Sequence, residues 1–531
     1  MILRGICLSL EALLIGGSIY FLWTRRIAAA PQIDGRHVFA GRILLGSAIG
    51  MIASQAVWLG VNSALLQSTT GISWNEVFGA GFFGAGLLEV GGSVIIAFVC
   101  LRNRQNGWAF AIADVLLLSG SVLTSHSAAR LDHRAALMAV TAGHQLGAAL
   151  WIGSLPFLLW SLVHVEGQES RRTILSAYGR QALTGATALV ASGLVLAYVY
   201  IHTFELLYGT AYGVMTVAKV MLLILIAGLG WKNNAAIKRG LIDGTWRLRL
   251  RRFTEVEIGI GFTTILAAAS LTSQPPAVDM QGSRVTASTI TQRFTPQIPS
   301  MKTPAFEALS QATPLSAAEA KRFHMSPLDT YVPGATLGDF DKPSDIEWSE
   351  YNHNWAGLIV LAAGLLAFIS RFRWGRWAKH WPLVFIGLAV FLLLRADSEN
   401  WPLGPRGFWE SFAVAEVAQH RVFVLMIVLF AIFEWGVQTK RIRSARAALV
   451  FPAVCILGGT LLLAHNHSLT RVQDELLAEL SHTPIAILAL AAGWARWLEI
   501  RLPGKPPKWA AAVWPICFVG IGYFLLTYRE H

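Results

Sequence analysis

The 531-residue sequence predicts an all-α, polytopic integral membrane protein with about fourteen transmembrane helices, in two bundles of about eight and six. Three observations predict it. Hydrophobic residues make up 54% of the chain and charged residues only 14%, with a mean hydropathy of +0.51, too little charge to cover a soluble surface. The apolar segments have the length of membrane helices and lack the alternation of barrel strands. Basic residues gather in every second loop, the positive-inside pattern.

By length, the spans fall near residues 3–23, 39–65, 77–101, 107–128, 135–162, 178–201, 211–231, 254–272, 353–370, 381–395, 418–437, 447–464, 483–499 and 509–527. The tenth, Trp381–Leu394, is short enough to be re-entrant. At the N-terminus Arg4 precedes an apolar run and Ala28–Ala30 resembles a signal cleavage site. The run Ile6–Trp23 is nevertheless long for a signal peptide, and Arg25 and Arg26 follow directly, so it reads as a retained first helix.

The basic connections are Arg25/Arg26/Arg36, Arg102/Arg104, Arg171/Arg172, the run from Lys232 to Arg252, Arg371–Lys379, Lys440–Arg446 and Arg501–Lys508. These loops are therefore expected to be cytoplasmic and both termini periplasmic; Arg130 and Arg134, offset by Asp132, are the exception. The net charge of +12 therefore belongs to membrane topology and implies no nucleic-acid partner. Twenty tryptophans, many near segment ends (Trp23, Trp74, Trp108, Trp231, Trp401, Trp514), fit a belt against membrane lipid. Cys7, Cys100, Cys455 and Cys517 all fall in or beside apolar segments with no CxxC spacing, as small buried residues do.

Ser273–Asn352 opens with Pro275-Pro276, is rich in Thr, Ser, Pro and Gln, and lacks helical apolar periodicity. It reads as a periplasmic linker, partly disordered, or a small cap. The domain reading is a membrane bundle over 1–275, this segment over 276–350, and a six-helix bundle over 351–531.

Orientation turns the 14 histidines into a pattern. Only His37, His164 and His380 fall at cytoplasmic ends, whereas His126, His133, His202, His353, His420, His465, His467 and His482 face outward. His144 lies about ten residues into the fifth span, roughly 15 Å down. An ionisable side chain at that depth marks a pathway, a bound ion or an interhelical hydrogen bond. Imidazole is the commonest metal ligand, so the one-sided set is the candidate metal site; histidine is also simply cheap at polar helix ends. His465 and His467, two apart, share one ion only if the helix ends there, which Asn466 and Ser468 permit.

Glu11, Glu89, Asp114, Lys219, Glu255 and Glu257 lie within or near the ends of spans. They are read either as an ion pathway, with Glu89 and Glu11 in a relay, or as packing salt bridges. Lys219 calls for a carboxylate partner, with Glu89 or Asp114 the candidates.

The run from Tyr178 contains YGRQALTGATALVASGLVLA, followed by LLYGTAYGVMTVAKVMLLILIAGLGWKNN ending at Asn234. A helix with His144 and Trp151-Ile152-Gly153 precedes it, and one with Glu257 ending in LTSQPP follows. This resembles the CopD (PcoD) family of bacterial inner-membrane copper proteins, most specifically over 135–276. His126 in SHSAA resembles the family's histidine in a GHA-type stretch, with Ser125 in place of glycine. The C-terminal bundle resembles the extension of longer members. The resemblance implies copper passage across the bacterial inner membrane, inward, with copper homeostasis or resistance as its purpose. Some members are fused to a CopC domain; no such β-sandwich is present, so a CopC-like copper-binding partner would be a separate periplasmic protein. Methionine is sparse, with Met280, Met301 and Met325 (beside His324) in the middle segment, which suits Cu(II) at least as well as Cu(I).

Two other readings stay open. Histidines on adjacent helices, such as His420 with His465 or His482, ligate b-type haem in membrane redox proteins. Alternatively the C-terminal bundle is an assembly or docking module that hands copper on. No nucleophile–base pair, P-loop or phosphorylation motif is present, so the chain is expected to be neither an enzyme nor an ATP-driven pump.

Overall fold

The computed structural model describes residues 2–27, 34–102, 106–165, 167–241, 244–295, 298–304, 343–397, 400–404, 407–413, 415–463, 472–504 and 507–529. Among these residues the chain is helical, with no β-strand. Eleven helices are long and apolar enough to cross a membrane, and Gly107–Leu123 and Ala447–Leu463 are shorter apolar helices. The expected thirteenth span, 483–499, falls inside the helix Val472–Arg501. That helix is not among the eleven. Each of the fourteen expected spans falls on a helix, and among the described residues eleven of these helices are long and apolar enough to cross a membrane. The protein is a multi-pass membrane protein.

The chain divides into two compact units, one built on Met1–Arg284 and the other on most of Val285–His531. In the first, α1 (Ile2–Ile27) packs against α2 (Asp34–Thr70), α5 (Gly107–Leu123) and α12 (Gly244–Leu271). Leu14, Ile15 and Phe21 of α1 join Leu44, Met51, Phe110, Leu117 and Phe157 in its core. Helices in lipid associate by close van der Waals fit, which small residues allow. Between α4 (Gly81–Leu101) and α5, a Cβ on Gly92 would lie 2.7 Å from the Ala113 carbonyl oxygen, so these helices meet backbone to backbone. Large apolar side chains elsewhere turn outward as lipid requires; Leu194 and Ile224 are 67% and 66% exposed.

The expected fifth span runs as one stretch, Arg134–His164, with a change of helix type inside it. It consists of α7 (Arg134–Ala148), a π-helical turn over Ala149–Gly153, and α8 (Leu155–His164). Pro156 stands in the first turn of α8, where its missing N–H costs no hydrogen bond. Gly16 and Gly153 bring α1 onto this turn: a Cβ on Gly153 would overlap the Ala12 carbonyl oxygen, and one on Gly16 that of Ala149.

The second unit is organised on Pro343–Ile369 and Lys508–Leu526, which cross at Gly357, Gly364 and Gly522. Trp381, Phe451, Trp514 and Cys517 form its core. Glu499 accepts two hydrogen bonds from Arg371 (2.5 and 2.9 Å), one from Arg496 (2.7 Å) and one from Trp514 Nε1 (3.0 Å). The helix carrying the ninth span begins ten residues before the expected 353, so His353 lies inside it. His482 likewise lies inside a helix that begins at Val472. Polar first turns extend both helices beyond their apolar windows. Of the expected linker, Ala277–Ser283 forms a 3₁₀ turn packed on Ile201 and Leu206, and α13 (Ala287–Phe294) follows.

Candidate metal pathway

His126 opens the short helix α6 (His126–Ala129) directly after α5. Its Nε2 lies 2.8 Å from the carbonyl oxygen of Leu271, at the C-terminal end of α12. A carbonyl only accepts, so Nε2 carries the hydrogen and Nδ1 keeps the lone pair. The ring sits between Tyr200 and Tyr212, with centroids 6.4 and 6.3 Å away. Tyr200 ends α9 (Gln168–Tyr200), and Tyr212 begins α11 (Ala211–Lys238). The Ser127 hydroxyl ties this level together, bonding Thr141 and the Tyr200 hydroxyl. Arg130 lies over the Tyr200 ring and donates to both oxygens of Asp279 at 2.9 and 3.1 Å. Asp279, from the expected linker, is thus the carboxylate bound to Arg130, where the sequence suggested Asp132.

His144 lies deeper against the same helices. Its Nδ1 is 3.1 Å from the Leu189 carbonyl oxygen and 3.2 Å from Ser192 Oγ on α9, which leaves Nε2 as the lone-pair nitrogen. Gly193 makes room for the ring, since a Cβ there would lie 3.2 Å from His144 Cε1. Lys219 of α11 is within electrostatic reach. The expected pairing of Lys219 with Glu89 or Asp114 does not occur. Glu89 takes Arg4 at 3.4 Å, and Asp114 accepts from Ser18 Oγ at 2.6 Å. Among the described residues no carboxylate lies within ion-pair distance of Lys219, whose titratable neighbour is the His144 imidazole.

Among the described residues of the first unit the other predicted histidines, His133 and His202, do not join these two. His133 and His202 are exposed, each with positive φ, at the end of the unit that carries His126. In the second unit His353 bonds the Ser349 carbonyl oxygen at 2.9 Å and stacks on Tyr528, and His420 meets Asp397 at 3.0 Å. His482 is half-buried. His465 and His467, with His324 and Met325, lie outside the described residues. Among the described residues no three His, Cys, Asp or Glu side chains come together as a metal cage.

A polar knot forms around the π-turn. Such a turn breaks the regular ladder and exposes carbonyls. Tyr178 of α9 donates to the Trp151 oxygen at 3.1 Å, and Gln181 Nε2 to the Leu150 oxygen at 3.2 Å. Glu257 of α12 accepts from Asn233 Nδ2 on α11 and lies within electrostatic reach of Tyr178. Glu255, two residues earlier, is bound instead by Arg251 and Arg252. Sequence reasoning passed over Tyr178, Gln181 and Asn233 as site residues. Their signal was present: each is a polar side chain within or beside an apolar span.

Residues 172–271 match the family model described as Copper resistance protein D, CopD. That match covers 100 of the 531 residues. The copper transport protein CutJ of Bacillus subtilis (strain 168) is 26% identical over 258 residues, covering 44% of this chain and 46% of CutJ. The chain thus spans about half the length of the curated relative it matches. No solved structure matches.

The matched segment runs from near the start of α9 to the end of α12, so it supplies Tyr178, Gln181, Tyr200, Tyr212, Lys219, Asn233 and Glu257. His126 and His144 both lie outside it, on helices that lean against it. The match is narrower than the 135–276 expected from resemblance, and the two imidazoles are brought to the CopD wall by the fold.

Proposed function

We propose that this protein carries copper across the bacterial inner membrane, taking the ion first at His126 and then at His144. The observation that supports this is the placement of both rings on one wall of the CopD segment. His126 lies at the level of Tyr200 and Tyr212, and His144 at the level of Ser192 and Lys219. Those levels are seven to eight residues apart along α9 and α11, about 10–12 Å at the helical rise. Each level offers one imidazole with a free ring nitrogen, held by a backbone carbonyl. A single nitrogen binds a copper ion loosely enough to release it, which suits passage better than storage.

The names CopD and CutJ support the cargo, since one describes copper resistance and the other copper transport. Neither name carries haem. Inward movement follows if the His126 end is periplasmic, because a divalent cation entering a negative interior gains about 4.6 kcal/mol per 100 mV. A CopC-like periplasmic protein would present copper at that end, and no ATP is needed.

The test is cellular copper content with His126→Ala and His144→Ala, each checked for membrane insertion. A single lost ligand on a serial path is expected to lower accumulation about tenfold. Wild-type accumulation in both variants at wild-type expression would overturn the assignment.

A further inference from the structure

The first unit holds a second buried polar cluster, separate from the histidines. Arg4 and Glu11 of α1, Gln55 of α2, Glu89 of α4 and Ser121 of α5 are each 6% exposed or less. Arg4 donates to Glu89 Oε1 at 3.4 Å, to the Ser121 carbonyl oxygen at 3.3 Å and to Thr124 Oγ1. Glu11, two helical turns from Arg4, faces the Ser121 side chain and lies within electrostatic reach of Glu89 and Arg4. Gln145 of α7 closes the far side, donating to Ser121 Oγ at 3.0 Å.

Several polar atoms in this cluster have no hydrogen-bond partner: Glu11 Oε1, Glu89 Oε2, and both amide atoms of the fully buried Gln55. The Gln55 amide is lodged against α4, since a Cβ on Gly86 would lie 2.9 Å from its Nε2. Gly86 is one turn from Glu89 on the same face, so the amide lies against the helix face that carries Glu89.

The charges do not balance. Two carboxylates face one guanidinium, and among the described residues no other charged group lies within electrostatic reach of either acid. The Cys7 thiol is near but is engaged with Ser54 at 3.6 Å, and Asp114 on α5 is held by Ser18. From α2 and α7 come only the neutral amides Gln55 and Gln145. A buried charge without a partner neutralises itself, and of two neighbouring carboxylates one takes the proton.

A groove of about 520 Å³ leads to this place between α2, α4 and α5, lined in part by Trp58, Asn62 and Thr124. Thr124 is itself a hydrogen-bond partner of Arg4, and the Trp58 ring lies 5.9 Å from the guanidinium carbon. The groove and His126 lie at the same end of the unit, where α5 passes into α6.

We propose that Glu11 and Glu89 together hold one exchangeable proton, loaded and released through the groove that ends at Thr124. Loading takes the proton from hydronium in the groove and leaves water; release returns it to water and restores the carboxylate. The proposal stands whatever cation the protein carries, since it concerns the proton alone.

Infrared difference spectroscopy on the full chain in lipid nanodiscs at neutral pH tests it without copper. Glu11→Gln and Glu89→Gln are each expected to remove one protonated-carboxyl band, because Arg4 then pairs with the acid that remains. The double variant is expected to remove no more than either single one. Glu89→Asp, which keeps an acid, should keep the band and so guards against a misfolded variant. Asn62→Phe, which narrows the groove, should slow deuterium exchange of the band severalfold. Losses that add in the double variant, or no loss in either single variant, overturn the shared proton; exchange unmoved by Asn62→Phe overturns the route.

Discussion

Tyr178 donates its hydroxyl hydrogen to the backbone oxygen of Trp151 at 3.1 Å, joining the CopD-matched helix α9 to a π-turn that lies outside the match. The bond explains why a hydroxyl stands at that point of a buried helix face. Removing it should leave the carbonyl with Ser154 Oγ, at 3.3 Å, as its side-chain donor. Tyr178→Phe is expected to cost about 1–3 kcal/mol, the penalty for a buried acceptor left short of a partner. A lowered thermal unfolding midpoint of the detergent-purified protein would register it; an unchanged midpoint would mean that another donor replaces the hydroxyl.

Gly153 is where α1 touches the π-turn, and it has no room for a methyl group. Gly153→Ala is expected to destabilise by about 3 kcal/mol, the upper range for overpacking, because the obstacle is backbone. Gly143, on the same segment with nothing within 4 Å of a built Cβ, is the control. Gly143→Ala should leave stability unchanged or slightly raised. Thermal unfolding of the two variants side by side decides the matter, and equal midpoints would contradict the packing described.

Lys219 places a positive charge beside His144 with no carboxylate at ion-pair distance among the described residues. Such a charge opposes a copper ion at the same level. Lys219→Gln is therefore expected to lower the copper concentration for half-maximal uptake about fivefold or more, since opposing charges interact strongly where water is scarce. Proteoliposome uptake measured against copper concentration tests this. A raised half-saturation point would assign Lys219 a positioning role instead.

Glu499 in the second unit binds two arginines and the Trp514 indole. Replacing it with glutamine strands those guanidinium groups. The expected cost is about 3–5 kcal/mol, the range for breaking a buried pair from one side. Limited proteolysis should show new cuts within Val285–His531. Copper accumulation by the membrane-inserted fraction should stay within about twofold, because the site is distant in the chain and shares no partner with His144. A total loss of uptake would place the second unit in the pathway.

The reach of sequence reasoning follows from what each signal contains. Apolar length located the helices, because lipid demands it. Apolar length could not show that polar turns carry the helices back to Pro343 and Val472. Nor could it show the π-turn, which is a property of backbone register. Partners distant in sequence were the other gap. Arg4 and Glu89 are 85 residues apart, and Arg130 and Asp279 are 149 apart. One local hint existed for the first pair: Arg4 and Glu11 are seven apart and so share a face of α1, which marks Arg4 as inward-facing.

The π-turn also bears on how the chain enters the membrane during synthesis. Its carbonyls at Leu150 and Trp151 have one helper nearby, Ser154, while the other two, Tyr178 and Gln181, are made only when α9 emerges. Hydrocarbon offers no substitute donor in the interval. Those two carbonyls therefore gain their full set of side-chain donors only once the following helix has been made and packed beside them.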